Sequence, residues 1–233
     1  MPNWSYNKLS ITGSAESMAE FYSAAIKDGK FQMSNIFPMP DKIKNTVSPS
    51  SSAKGKKWMN EDEVTANREG EIASLLGEEP EGLIPCENNT VEKCAALIKE
   101  YGTDNWYDWN ISMYGTKWDI CVDASEFDKA DTEFGAFFDT AWCPPIQFLE
   151  RLQHRFASLD ISLTFEVEGT DTCGIAYTER EGGESWIAVD ESQMICESAD
   201  GRPVFFDEEN ECWAYEETGE ECDDLFWRNP FDN

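Results

Sequence analysis

Alternating apolar and polar residues open the chain and predict a strand followed by a helix. In NKLSITG (7–13), Leu9 and Ile11 fall on one face and polar residues on the other, the period of a half-buried strand. Ser14 is placed to cap a helix that ends at Gly29, because apolar residues then recur at helical spacing. The apolar stripe consists of Met18, Phe21, Tyr22, Ala25 and Ile26. The chain therefore begins with a strand and an amphipathic helix.

A second strand and an inserted helical region are predicted next. FQMSNIF (31–37) has the composition of a strand and stops at Pro38. Residues 41–60 change to Ser, Lys and Pro, the composition of a loop. Helical periodicity returns at 62–76 and at 90–101. We therefore expect a β-α-β unit followed by an insertion.

The middle of the chain predicts two strands, a helix and two more strands. Residues 117–125 and 133–142 are expected to pair across a polar loop. A helix is predicted within 143–159, which has prolines near its start, and strands at 160–169 and 174–178. Together with the first unit, this order predicts an α+β, ferredoxin-like fold with an antiparallel sheet and helices on one face.

Beyond residue 178 the pattern changes to short apolar runs between acidic turns. WIAV, MIC, PVFF and CWAY are separated by EGGE, ADGR and DEEN, which predicts a β-meander. We therefore divide the chain into a ferredoxin-like domain at 1–178, with an inserted loop and helices at 41–104, and an acidic β-rich extension at 179–233.

The net charge of −29 is concentrated toward the end of the chain. Residues 160–233 contain 22 of the 47 acidic residues but 3 of the 18 basic ones. Within 205–227, ten carboxylates accompany six aromatic rings and no Lys or Arg. Like charges at this density repel one another and weaken a compact state, which indicates a role outside folding.

Composition also narrows the classes of partner and cofactor. A charge of −29 disfavours direct binding to nucleic acid or to an anionic membrane, because phosphate would add repulsion. Neither a signal-peptide pattern nor an apolar run of ~18 residues occurs, so a cytoplasmic location is expected. Eight scattered cysteines without a C-x-x-C pair, with one histidine, predict no metal or cofactor. The complementary partner is a basic, nucleic-acid-binding protein surface.

Three stretches carry a family resemblance: MPNWSYNKLSITG (1–13), NWYDWNISMYGTKWDI (105–120) and FFDTAWCPPIQFLERL (137–152). They resemble the ferredoxin-like proteins of phages and conjugative plasmids often labelled YubB-like. The most specific elements are GTKWD and TAW-x-PP, which supply the motif residues Gly115, Thr116, Lys117, Trp118, Asp119, Trp142, Pro144 and Pro145. The resemblance implies a fold and a mobile-element origin in a bacterial host cell rather than an activity.

The motif YGTKWD allows two interpretations. Lys117 and Asp119 lie two positions apart, so on a strand they would share a face and make a small recognition site. The alternative is a turn at Gly115 that leads into a strand with a surface ion pair. The sequence specifies no nucleophile or metal partner for this pair, which favours the second interpretation.

Other candidate sites lack a complete set of partners. Catalysis through His154 would need an Asp or Cys neighbour that the sequence does not specify, so we expect this residue at the solvent edge of a helix. The acidic stretches at 166–172 and 206–211 lack EF-hand spacing, which favours nonspecific cation association. No catalytic motif occurs, and we expect a protein that is not an enzyme.

The acidic extension is the favoured binding site. Carboxylates on alternate residues of adjacent strands would lie about 5 to 7 Å apart, and duplex DNA has a charge density of comparable order. Tryptophans in the same segment are available as contact anchors. The predicted contact residues are Asp207, Glu208, Glu209, Glu211, Glu216, Glu217, Glu220, Glu221, Asp223, Asp224, Trp213 and Trp227. The alternative is a solubilising acidic surface without a specific partner.

These features predict a phage- or plasmid-encoded inhibitor of a host nucleic-acid-targeting defence complex, such as a CRISPR effector or a restriction enzyme. It would act by imitating the charge of a polynucleotide. One alternative is a structural or regulatory mobile-element module that binds through the YGTKWD and TAWCPP face. Another is an enzyme that uses His154 or an assembled cluster of cysteines. The sequence predicts no oligomeric state.

Overall fold

The N-terminal strand lies at the centre of a six-stranded sheet. The structure, a computed structural model, describes residues 3–46, 91–170, 172–198, 202, 204–207, 212–222 and 224–231, with the backbone alone at 91, 92 and 205–207. The strands are β1 (Trp4–Thr12), β2 (Ile26–Lys27), β3 (Lys30–Phe31), β4 (Val122–Asp123), β5 (Phe127–Lys129), β6 (Glu133–Ala141), β7 (Asp160–Val167), β8 (Thr172–Glu181), β9 (Glu184–Gln193), β10 (Ile195–Ser198), β11 (Val204–Asp207), β12 (Cys212–Tyr215) and β13 (Leu225–Arg228). The helices are α1 (Ala15–Ala25), α2 (Met33–Ile36), α3 (Asp41–Lys44), α4 (Val91–Tyr101), α5 (Trp106–Tyr114) and α6 (Ile146–Arg155).

The sheet is antiparallel throughout, in the order β5-β6-β1-β7-β8-β9. Because β6 and β7 both run antiparallel to β1, they are parallel to each other, and α6 connects them. This is a split β-α-β unit, the element that defines ferredoxin-like folds. Leu9 lies directly opposite Ala136 and Leu163, so the buried residues of three strands share one face.

Helices α1 and α6 cover one face of this sheet. Phe21 of α1 meets Phe134 of β6 and Phe156 after α6 edge to face, with ring centroids 5.4 and 5.9 Å apart. The opposite face carries Tyr6 and Phe137 as exposed rings. The core therefore lies on the side of α1 and α6, and on the other side these two rings are exposed among the described residues.

The predicted pattern at the N-terminus is confirmed. Ser14 caps α1 because its Oγ accepts a hydrogen bond from the N–H of Ser17 at 3.2 Å. Met18 is fully buried, as the apolar stripe requires. The helix ends at Ala25 rather than at Gly29, because the chain turns into the β2–β3 hairpin and Gly29, at φ 72°, lies in its turn.

The prediction of a strand over 31–37 is wrong beyond Phe31. Residues 33–36 form α2, whose first amides are bonded by the carboxylate of Asp119. The capping side chain lies 86 residues away in sequence from Met33. Local periodicity cannot show such a partner.

The predicted pairing of 117–125 with 133–142 is also wrong. Within 117–125 there is one short strand, β4, which pairs with β3. The partners of β6 are β1 and β5. Asp119 turns inward toward α2, so the alternation of a strand is interrupted at that point.

A helix that the pattern did not predict directly follows the insertion predicted at 41–104. The helix predicted at 90–101 is confirmed as α4, whereas the helix predicted at 62–76 lies outside the described residues. The additional helix is α5, which begins where the side chain of Asn105 accepts from the N–H of Asp108 at 2.9 Å. Gly115 ends it in the left-handed conformation.

The C-terminal strands do not form a simple meander. β9 is an edge strand of the main sheet, and the boundary predicted at 178/179 falls inside β8. β11 and β12 form a hairpin. β10, which precedes this hairpin in sequence, pairs with β13, which follows it. Asn229 donates from Nδ2 to the carbonyl of Phe165 at 3.3 Å, which joins this region to β7. None of the helices in the described part of the chain has the length and apolar character needed to cross a membrane.

Candidate functional site

The acidic hairpin, residues 212–222, is a chain reversal held by main-chain hydrogen bonds. It consists of β12, a turn and a short return. Tyr215 donates from its N–H to the carbonyl of Glu220 at 3.0 Å, and Cys222 donates to the carbonyl of Trp213 at 2.8 Å. These two bonds link opposite sides of the hairpin, so the backbone between them is fixed.

The turn of the acidic hairpin presents four exposed carboxylates: Glu216, Glu217, Glu220 and Glu221. None of them forms an ion pair with a Lys or Arg of the described ranges. The two nearby arginines have other contacts. Arg228 lies 2.9 Å from the carboxylate of Glu197, and the guanidinium of Arg202 lies 3.6 Å from the ring centroid of Tyr215. Within the described ranges, therefore, no ion pair offsets the negative charge at the turn.

Two small buried side chains and a pair of packed tryptophans stabilise the acidic hairpin. Ala214 and Cys222 are 1% and 4% exposed. Trp213 and Trp227 meet edge to face, with ring centroids 5.7 Å apart. Trp213 is half-buried, whereas Trp227 is exposed. The ring of Trp227 thus packs on the hairpin through Trp213 and keeps an exposed surface.

The structure divides the predicted contact residues into two groups. Glu208, Glu209, Glu211, Asp223 and the side chain of Asp207 lie outside the described residues. The other acidic residues are exposed: Glu216, Glu217, Glu220, Glu221 and Asp224. Of the described carboxylates, Glu216, Glu217 and Glu220 lie at the turn, Glu221 lies in a bridge opposite Ala214, and Asp224 directly precedes β13. β12 itself carries the uncharged sequence CWAY, so it does not contribute to the predicted lattice of carboxylates on alternate strand positions.

The two motif stretches form one continuous surface, the motif face, made of Gly115–Asp119 and Trp142–Pro145. The hydroxyl of Thr116 donates to the carbonyl of Ala141 at 2.9 Å and is itself buried. A Cβ on Gly115, at φ 81°, would lie 3.3 Å from the backbone N of Gln147 and 2.0 Å from its Oε1. The motif residues therefore allow the end of α5 to pack closely against the start of α6.

The TAW-x-PP element turns the chain from β6 into α6. Trp142 is an exposed residue at φ 77°, and its N–H donates to the carbonyl of Asn3 at 2.9 Å. The carbonyl of Pro144 accepts from the N–H of Ile146 at 2.9 Å. Pro145 is the N-cap residue of α6, as the prolines predicted.

Lys117 lies against aromatic rings rather than beside a carboxylate. Its Nζ is 4.7 Å from the ring centroid of Trp118 and 6.0 Å from that of Tyr107. Trp118 is 40% exposed and packs against Trp4, with centroids 6.1 Å apart. Lys117 and Asp119, both described, form no ion pair, which corrects the predicted surface pair.

Asp119 is a partly buried cap of α2 rather than a surface charge. Its Oδ1 accepts from the N–H of Met33 at 3.0 Å and from its neighbour Ile120 at 2.9 Å, and its Oδ2 accepts from the N–H of Ser34 at 3.3 Å. Burial raises the pKa of the Asp119 carboxyl, and these hydrogen bonds oppose that shift in part. The carboxylate therefore stabilises α2, with both of its oxygens already bonded to backbone amides.

The remaining candidates are separated in the structure. His154 lies exposed on α6, at the solvent edge as expected. Among the residues that the structure describes, no three Asp, Glu, His or Cys side chains converge as a metal site would require.

The sequence pattern did not indicate the sheet face opposite α1 and α6 as a candidate site. Tyr6 is 46% exposed and Phe137 is 67% exposed on adjacent strands of that face. The available signal was an aromatic residue at an outward position of an alternating strand. The two rings can be recognised as neighbours on one face only once the pairing of β1 with β6 is known.

Comparison with known proteins agrees with the observed fold. Residues 117–220 match the family described as "Ferredoxin-like domain in Api92-like protein". A crystal structure of the protein api92 from Yersinia pseudotuberculosis aligns over 81% of this chain and 98% of its own, at 10% identity and a TM-score of 0.39. At that TM-score the likeness assigns neither a fold nor a function. No curated protein matches the chain.

The family match confirms the predicted ferredoxin-like fold, and its range includes both the motif segment from Lys117 and the acidic hairpin up to Glu220. The YubB-like label stays a prediction from the motifs. Over residues 117–220 the chain is similar to the ferredoxin-like domain of Api92-like proteins.

Proposed function

We propose that this chain is a non-enzymatic inhibitor, encoded by a phage or a plasmid, that occupies the nucleic-acid site of a host defence complex. The acidic hairpin takes the place of polynucleotide phosphates in that site. One observation carries the proposal: four exposed glutamates lie on and directly after a single hydrogen-bonded turn, without basic ion-pair partners among the described residues.

Fixed carboxylates suit a basic groove for two physical reasons. The hairpin backbone is already ordered, so little conformational entropy is lost when the site is filled. Uncompensated charge also accelerates encounter with a surface of opposite charge. Trp227, whose exposed ring packs on Trp213 of the acidic hairpin, can add an aromatic contact to such an interface.

The proposal is tested by competition with labelled duplex DNA on a purified restriction endonuclease and a purified DNA-targeting CRISPR effector. The hairpin variant carries Glu216→Lys, Glu217→Lys, Glu220→Lys and Glu221→Lys. The matched control carries four reversals at exposed acids elsewhere: Glu20→Lys, Asp131→Lys, Glu150→Lys and Glu184→Lys. Both variants have the same net charge, so they separate position from total charge.

We expect the native protein to displace DNA from at least one of these enzymes and to block its cleavage. The effect should weaken as salt rises, because screening shortens the range of charge interactions. The hairpin variant should lose displacement while the control retains it. Equal behaviour of the two variants would show that only bulk charge matters and would contradict the proposal.

The motif face favours a second candidate, a mobile-element module that binds a protein partner without imitating nucleic acid. Trp118 and Trp142 are 40% and 48% exposed on this surface. Truncation at residue 180 is unsuitable as a test, because it would remove β9 from the main sheet. A double variant, Trp118→Ala with Trp142→Asn, separates the two candidate functions. A protein partner that no longer binds this double variant but still binds the hairpin variant would favour the module.

A further inference from the structure

On the sheet face opposite α1 and α6, the side chain of Tyr6 lies between two carboxylates. Tyr6 is directly opposite Asp139 of β6 and Glu166 of β7. Directly opposite residues project from the same face with Cβ atoms about 5 Å apart. Neither carboxylate forms an ion pair with a base in the described part of the chain. The row thus presents an aromatic ring flanked by two uncompensated negative charges.

A second exposed ring lies in the next row of the same face. Phe137 is 67% exposed and stands opposite Lys8. The two rows border an open groove of about 370 Å³, whose lining includes Tyr6, Lys8, Phe137, Asp139, Thr164 and Glu166. Asn229 also lines it and is anchored to the carbonyl of Phe165 at 3.3 Å. The groove is therefore bordered on one side by a residue that is hydrogen-bonded to the sheet.

The groove combines the two features that bind a guanidinium group. Aromatic faces attract a planar cation that stacks on them, and carboxylates accept paired hydrogen bonds from its N–H groups. From this geometry we infer that the Asp139–Tyr6–Glu166 row binds an arginine side chain of a protein partner. This surface is distinct from the acidic hairpin, so the inference stands independently of the proposed function.

Single-stranded nucleic acid is the other class that uses exposed rings on a sheet of this kind. Here carboxylates lie on both sides of Tyr6, and a backbone phosphate near them would be repelled. Lys8 is the one base that lines the groove among the described residues, and it lies beside Phe137. Charge therefore favours a cationic peptide, with its guanidinium over Tyr6 and away from Lys8.

The inference is tested on the full chain with a short peptide of four Arg residues separated by Gly, and with its Lys counterpart. Calorimetry near 0.15 M salt gives the affinity, and nuclear magnetic resonance follows the ring protons of Tyr6 and Phe137. The same titrations on a variant with Gln at the four hairpin glutamates remove binding at the hairpin. That variant also separates failure of this inference from failure of the proposed function.

We expect the Arg peptide to bind more tightly than the Lys peptide and to shift both rings. Asp139→Asn and Glu166→Gln should each weaken binding about tenfold, the size of a lost charge-assisted hydrogen bond. Tyr6→Leu should weaken it while the fold is kept, as circular dichroism would show. The control is Glu133→Gln, which removes one charge from the same face of β6 and should leave the affinity unchanged.

Three results would overturn the inference. Equal losses in Asp139→Asn and Glu133→Gln would show nonspecific attraction to the sheet. Ring protons that do not move would place the peptide elsewhere. A single-stranded RNA oligonucleotide that shifts the two rings where the Arg peptide does not would assign the face to nucleic acid.

Discussion

The carboxylate of Asp119 accepts a hydrogen bond from the backbone N–H of Met33 at 3.0 Å, and this contact ties the motif segment to α2. The helix has four residues and no capping side chain of its own. Its N-terminal amides, which have no acceptor within the helix, are therefore satisfied by a residue distant in sequence. The acidic residue of the motif thus has a structural role, and the exposed tryptophans of the motif face remain available for binding.

The first prediction concerns this cap. Asp119→Ala should lower the free energy of unfolding by about 1–3 kcal/mol, because it leaves backbone N–H groups without an acceptor in a buried position. Asp119→Asn keeps one acceptor oxygen and should cost less. Urea denaturation followed by tryptophan fluorescence measures both. An Ala variant as stable as the native protein would show that the cap contributes nothing.

The second prediction is a dependence of stability on pH. Burial raises the pKa of Asp119 above its unfolded value, so the native state binds this proton more tightly than the unfolded state does. Stability from this group is then fully present below the unfolded pKa of about 3.9 and is lost as pH rises through the folded pKa. Relative to Asp119→Asn, the native protein should lose stability across that window. Urea midpoints at several pH values measure the difference, and an opposite slope would contradict it.

The third prediction compares two glycines that follow helices. Gly102 and Gly115 are at φ 77° and 81°, and each donates its N–H to the preceding helix. Replacing either by Ala should cost about 1 kcal/mol, because L-residues are strained in this conformation. Gly115→Ala should cost more, since its Cβ would crowd Gln147, whereas Gly102 has nothing within 4 Å. Equal losses in chemical denaturation would contradict the packing account of the motif.

The fourth prediction concerns repulsion within the acidic hairpin. Replacing its four turn glutamates by Gln should raise the melting temperature at low salt, because like charges no longer repel. The gain should shrink in high salt, where the native charges are already screened. The matched control replaces Glu20, Asp131, Glu150 and Glu184 in the same way. A gain that is equal in both variants, or independent of salt, would contradict the account.

Local sequence patterns predicted the strands and helices whose apolar residues all face one buried layer. The alternation around Leu9 and the stripe through Phe21 are local records of one buried face, and both elements formed as predicted. The segment at 31–37 became α2 because its amides bond to Asp119, and no local signal encodes that contact. The pairing of β10 with β13 likewise depends on a long return of the chain.

The sequence indicated one of the two candidate binding surfaces and not the other. Composition located the carboxylates of the acidic hairpin, because they cluster in sequence. Their placement on a turn follows from bonds such as that from the N–H of Tyr215 to the carbonyl of Glu220, which composition does not contain. The row around Tyr6 could not be predicted, since Asp139 and Glu166 come from strands far apart in sequence.

The central claim is that backbone hydrogen bonds hold the carboxylates of the acidic hairpin in a fixed array. Amide hydrogen exchange, measured residue by residue on the native protein, tests it most directly. The N–H groups of Tyr215, Gly219 and Cys222 should be protected, because each has a backbone acceptor, whereas Glu216 has none in the described structure and serves as the internal reference. Exchange of all four amides at the rate of an unstructured peptide would contradict the claim.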